Sequence, residues 1–83
     1  MEAEIVFSDS AFKHGMTEED IRNAFLTVIY DEADINNDKN FISIGFDGKQ
    51  QLIEVIYSIM DDNTVFVFHA MKCRKEYLKY IWR

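Results

Sequence analysis

The chain contains no proline, one cysteine, one tryptophan, two histidines and three glycines among its 83 residues. The lone Cys73 cannot cross-link the chain to itself, so the fold has to rest on its core, and a small disulfide-free domain suits a reducing compartment. A cytoplasmic location is therefore expected. Without proline, the turns fall to Gly, Asp and Asn. Apolar runs such as Val55 to Met60 are far shorter than the roughly 20 residues that span a bilayer, and the first residues are acidic where a leader would be basic. Neither export nor membrane insertion is expected. What the chain does have is apolar material: 48% of its residues are hydrophobic and 14% aromatic, enough for a packed core and too much for a disordered chain. The length suits one domain over residues 1–83.

Cations are scarce, with nine Lys and Arg against fifteen Asp and Glu. They are also unevenly placed. Residues 1–68 carry four basic and fourteen acidic side chains, a net of −10; residues 69–83 carry five and one, a net of +4; together they give −6. Such a chain repels the phosphate field over most of its surface, so any contact with nucleic acid has to be local and C-terminal.

Ser8-Asp9-Ser10 before Ala11-Phe12-Lys13-His14 and Gly15 reads as a short capped helix with a glycine stop, preceded by a short strand at Ile5-Val6-Phe7. Thr17 with Asp20 three residues on forms a variant capping box, placing a helix start near Glu18, with Ile21, Ala24, Phe25 and Val28 at helical spacing. The polar stretch from Asp31 to Asn40 reads as a loop. Phe41–Phe46, Leu52–Met60 and Thr64–Ala70 read as strands, the first pair joined through Asp47-Gly48-Lys49 by a turn that would use positive φ. From Lys72 on, Cys73, Tyr77, Tyr80 and Ile81 suggest a basic amphipathic helix. The expected class is α+β in two layers: an antiparallel meander of three or four strands, with two N-terminal helices and one C-terminal helix covering one face.

Reactive side chains concentrate between His69 and Tyr77, where a strand passes into a helix. Strand alternation puts His69 on the face of Val65 and Val67, opposite Phe66, Phe68 and Ala70. His69 is a candidate general base or acid, and Arg74 a bidentate phosphate clamp. His14 is the second candidate proton carrier, although beside Lys13 it would equally complement a helix C-terminus. Lys13, Lys72 and Lys75 could add charge toward a phosphate, and Tyr77 could stack on a base. Alternatively Arg74, Lys75 and Lys79 form a solvated helix face. Cys73 reads as a small apolar side chain. No metal or other cofactor is expected: Asp34-x-Asn36-x-Asp38 imitates a calcium loop, but Lys39 and Gly45 stand where a glycine and a bidentate glutamate are needed, and His14, His69 and Cys73 lack paired zinc spacing.

The succession Lys13-His14-Gly15, Thr17-Glu18-Glu19-Asp20, Asn40 to Gly45 ending in Ile-Gly, and Val67-Phe68-His69-Ala70-Met71-Lys72 before a terminal helix resembles the BrnT-like toxins over about residues 7–80. That resemblance implies a RelE-like or ParE-like α+β fold, ribonuclease activity toward RNA and silencing by an antitoxin from the same operon. Asn40, Phe66 and Met71 stand where relatives commonly carry arginines. Two functions follow. One is a metal-independent endoribonuclease with His69, Arg74 and His14 at its centre. The other is a non-catalytic module, or a degenerate toxin relative, that docks a protein partner or pairs as a homodimer through a sheet edge or through Tyr77, Tyr80 and Trp82.

Overall fold

Helix α1 (Glu18–Leu26) begins where the capping pattern puts it. The Thr17 hydroxyl accepts from the Asp20 amide at 3.1 Å, and the Asp20 carboxylate accepts from the Thr17 amide at 3.0 Å. That second bond holds the Asp20 carboxyl below its ordinary range. The computed structural model describes residues 4–81. Besides α1 it contains β1 (Glu4–Phe7), a 3₁₀ turn (Asp9–Phe12), β2 (Tyr30–Asp34), β3 (Asn37–Phe46), β4 (Leu52–Asp61), β5 (Thr64–Lys72) and α2 (Lys75–Leu78).

The five strands form one mixed sheet in the order β1-β5-β4-β3-β2. This corrects the expected architecture of an antiparallel meander with two N-terminal helices and a C-terminal helix. Asp9–Phe12 makes only a 3₁₀ turn, and the terminal helix is one turn long because Lys72 still belongs to β5 and Arg74 is extended. β1 lies parallel to β5, with Glu4 opposite Thr64 and Phe7 opposite Val67, so the apolar Ile5-Val6-Phe7 covers an edge of β5. The expected loop at Asp31–Asn40 is a hairpin. Its polar residues make the turn, where the Asp34 carboxylate accepts from the Asn36 amide at 2.9 Å, while β2 pairs with β3. Polar composition marked a solvated outer strand there as well as a turn.

At the β3–β4 connection the Asp-Gly pair acts differently from the expected tight turn. Positive φ falls on Gln50 (65°), and Asp47, itself buried, accepts through Oδ1 from the amides of Lys49 (2.8 Å) and Gln51 (2.9 Å). Gly15, in contrast, has the left-handed conformation (φ 85°) expected of a glycine stop.

Strand register assigns the faces. Ser43, Gly45, Ile53, Val55 and Tyr57 point toward α1, whose Ile21 and Ala24 are buried against them, and Ala11 of the 3₁₀ turn joins this cluster with Val67 and Ala70. Each fully buried Ile or Val there contributes roughly 1.5–3 kcal/mol. The opposite face carries Ile42, Ile44, Glu54 and Ile56, and the C-terminal segment lies against it, because Tyr80 stacks on Tyr30 with ring centroids 5.0 Å apart. The part of this face around Ile42, Ile44 and Glu54 is therefore covered as well. Among the described residues no helix is long and apolar enough to cross a membrane.

The edge strand β2 is fastened from beneath. The buried Tyr57 hydroxyl donates to Asp31 at 2.8 Å, reaching across β3. Burial, followed by the adjacent carboxylate, pushes the phenol well above its ordinary range. Tyr57→Phe is expected to cost about 1.5 kcal/mol, since a bond to a charged acceptor is lost while Asp31 stays solvated. Urea denaturation checks this, and an unchanged midpoint would contradict the fastening role.

Candidate functional site

Between Ile53 and Val55, which enter the α1-side core, Glu54 must turn to the opposite face of β4, and there it is fully buried. A buried carboxylate is tolerable only with partners that replace water. Glu54 has several. The His69 Nε2 lies 2.9 Å from Oε2, the Arg74 backbone amide donates to Oε1 at 2.9 Å, Arg74 Nε donates to both oxygens (3.2 and 3.0 Å), and Arg74 Nη2 donates to Oε2 at 2.7 Å. Burial raises the Glu54 carboxyl, but the hydrogen bonds from His69 and Arg74 and the guanidinium charge outweigh it and hold the group below the usual carboxylate range. The same bond from the carboxylate raises Arg74 further.

His69 reaches Glu54 because of a β-bulge. Ile56 pairs with His69 while Tyr57 pairs with Val67, leaving Phe68 as the extra residue. The shift breaks the alternation expected from sequence: Ala70 joins Val67 in the core, and His69 moves to the face of Ile56 and Glu54. The Ser10 hydroxyl donates to the Phe68 carbonyl at 2.6 Å, tying the 3₁₀ turn to the bulge. The Ser8 amide bonds the Val67 carbonyl at 2.9 Å. These ties carry the following segment past the end of β1, so that the His14 ring meets the His69 ring edge-on, with centroids 5.5 Å apart and planes at 66°. They are the only two histidines of the chain.

Beyond β5 the Cys73 amide bonds the Leu52 carbonyl at 3.0 Å, keeping the chain beside β4 while the extended Arg74 folds its side chain back to Glu54. The guanidinium also lies over the Tyr77 ring, 5.1 Å from its centroid. Tyr77 in turn stacks with Tyr80, and Tyr80 with Tyr30. The aromatic residues expected to anchor a partner are thus spent, at least in part, on the chain's own sheet; Trp82 lies outside the described residues. Burial, then the negative charge of Glu54, pushes the Cys73 thiol up to about 11, consistent with an inert side chain.

Of the residues expected from sequence, His69 (side chain 20% exposed), Arg74 (38% exposed) and the exposed His14 come together, with Tyr77 beside Arg74. Lys13 precedes His14 and is exposed, and Lys75 opens α2, also exposed. Lys72 does not join them: it pairs with Ile53 and so projects from the α1 side of the sheet. Sequence reasoning missed Glu54, although a single carboxylate inside the run Leu52-Ile53-Glu54-Val55-Ile56-Tyr57 was a usable signal. Chemically, the arrangement offers an imidazole oriented by a carboxylate, a second imidazole in contact with it and a guanidinium alongside. That set can accept one proton, donate another and face an anion. The chain matches no protein-family model, no curated protein and no solved structure.

Proposed function

We propose that this protein is an endoribonuclease working through imidazole acid–base chemistry and, as its resemblance to the BrnT-like toxins implies, the toxin of a toxin–antitoxin pair. The reading is carried by one observation. The two histidines, far apart in sequence, are in ring contact, and one of them is held by the buried Glu54 that also holds Arg74. In this scheme His69 Nδ1, the nitrogen not engaged by Glu54, takes the 2′-hydroxyl proton, and Glu54 stabilises the imidazolium that results. The 2′-oxygen bonds to phosphorus, the bond from phosphorus to the 5′-oxygen breaks, and protonated His14 gives its proton to that oxygen. The products are a 2′,3′-cyclic phosphate and a 5′-hydroxyl.

Each proton transfer is worth roughly 10²–10⁴-fold in rate. His69→Gln and His14→Gln are each expected to lower cleavage of a single-stranded RNA by that order, with the cyclic phosphate as the wild-type product. Full activity in the double variant, or a 3′-hydroxyl product, would sink the assignment. Arg74 is a poor probe by itself, since its removal strands a buried charge.

A further inference from the structure

We propose that phosphodiester binding at this site is gated by protons, because Glu54 acts as an internal counter-ion that offsets Arg74 and leaves the charge presented to an anion to His14 and His69. The inference rests on the phosphate-facing reading above and adds its regulation.

The argument begins with local charge. Glu54 and Arg74 form a pair at 2.7 Å in which Nε and Nη2 of the guanidinium are both engaged, so the cation that most resembles a phosphate clamp is already neutralised by a carboxylate at hydrogen-bond distance. The groups facing His69 come from three segments. They are Glu54 from β4, bonded to it; His14 from the segment after the 3₁₀ turn, in ring contact with it and preceded by the exposed Lys13; and Arg74 from the C-terminal segment, which shares the Glu54 carboxylate and lies over Tyr77. Glu76 and Asp34 add negative potential at Tyr77. Lys13 and Lys75 are exposed, strongly hydrated charges that give a weak pull independent of pH. With both imidazoles neutral, the cluster has no strong net positive charge, and the chain as a whole, at −6, repels RNA. A proton on either ring adds a full positive charge at that point.

Two features make this testable. Imidazole is the only side chain whose ordinary titration lies between about pH 5 and 8, and both imidazoles of the chain meet here. A steep dependence of anion binding over that interval that is lost with the two imidazoles therefore reports on this site. Glu54 is also the carboxylate bonded directly to both His69 and Arg74, so its neutralisation should strengthen anion binding; a carboxylate with a purely structural role would only weaken it.

The probe is a fluorescent 2′-O-methyl oligonucleotide, which cannot be cleaved and whose phosphodiester charge is constant over the interval. Anisotropy with the wild-type chain should show affinity falling at least tenfold from about pH 5.5 to about pH 8. His14→Gln/His69→Gln should abolish that dependence. Glu54→Gln, which keeps the shape and one acceptor, should raise affinity at about pH 8 toward the wild-type value at about pH 5.5. Glu32→Gln, an equal change in net charge on the exposed strand β2, should not. Circular dichroism confirms folding of each variant. Less than a twofold change across pH in the wild type, the same pH dependence in the histidine double variant, or no gain at about pH 8 in folded Glu54→Gln would overturn the proposal; if Glu54→Gln does not fold, the other two results decide it. Gated binding without cleavage of ordinary RNA would leave this inference standing and remove the nuclease reading, while cleavage with ungated binding would do the reverse.

Discussion

Arg74→Ala is expected to lower stability by about 3 kcal/mol, at the lower end of the roughly 3–5 kcal/mol seen when one partner of a buried ion pair is removed. The guanidinium is 38% exposed, so its own desolvation is modest; the cost lies in Glu54, which has no exposure and would keep only His69 and the amide of residue 74. The double variant Arg74→Ala/Glu54→Gln should recover most of the loss, because no charge is then stranded. Urea denaturation of both reads the difference. An equal loss in the single and the double variant would show that Arg74 acts through packing on Tyr77 instead. The same pair sets the acid response. The folded-state carboxyl of Glu54 lies below its ordinary value of 4.5, so its contribution is fully present above that pH and is lost as pH falls through the depressed folded value. Acid should therefore destabilise the wild type more than the double variant, and only below about pH 4.5.

Gly45→Ala is the second large effect. A methyl group there would overlap the Ala24 carbonyl oxygen and sit 2.9 Å from its carbon, both of them backbone atoms of α1 that cannot rotate away. Helix and sheet must separate, and separation also strains the bonds that Asn23 donates to the Phe46 and Asp47 carbonyls and the bond that the Phe46 amide donates to Thr27. Overpacking a core costs about 1–3 kcal/mol, and rigid neighbours put this site at or above the upper figure. For a domain of this size that is a fall in Tm on the order of 15 °C. Gly48→Ala, with open space around it and no positive φ, should shift Tm little and serves as the control. A fall of only a few degrees in Gly45→Ala would mean that α1 rides more loosely on β3 than the packing indicates.

Much of the local structure was legible because it depends on neighbours in sequence. Thr17 and Asp20 cap a helix through backbone groups three residues apart, Gly15 ends a turn because glycine accepts a left-handed φ at little cost, and the apolar β-branched and aromatic runs after Phe41 form strands. The region of interest was legible as well, since His69, Arg74 and His14 stand out by residue type. Their assembly was not. The bulge at Phe68 inverts the alternation that strand periodicity assumes, and its carbonyl is met by Ser10, a partner 58 residues away. Glu54 sits in a run that reads as core, and only the fold reveals that it faces away from the α1-side core toward His69 and Arg74.

Residue type and short-range spacing alone thus set the start of α1, the glycine stop, the strand-forming runs and the choice of imidazole and guanidinium as the candidate chemistry. Tertiary structure decided the parallel placement of β1 beside β5, the burial of Ile44 and Glu54 on the face away from α1 and the meeting of two distant histidines above a buried carboxylate. The physical reason is that a one-residue shift in strand pairing moves a side chain from one face of a sheet to the other. Such a shift is settled by contacts between segments that sequence spacing does not relate.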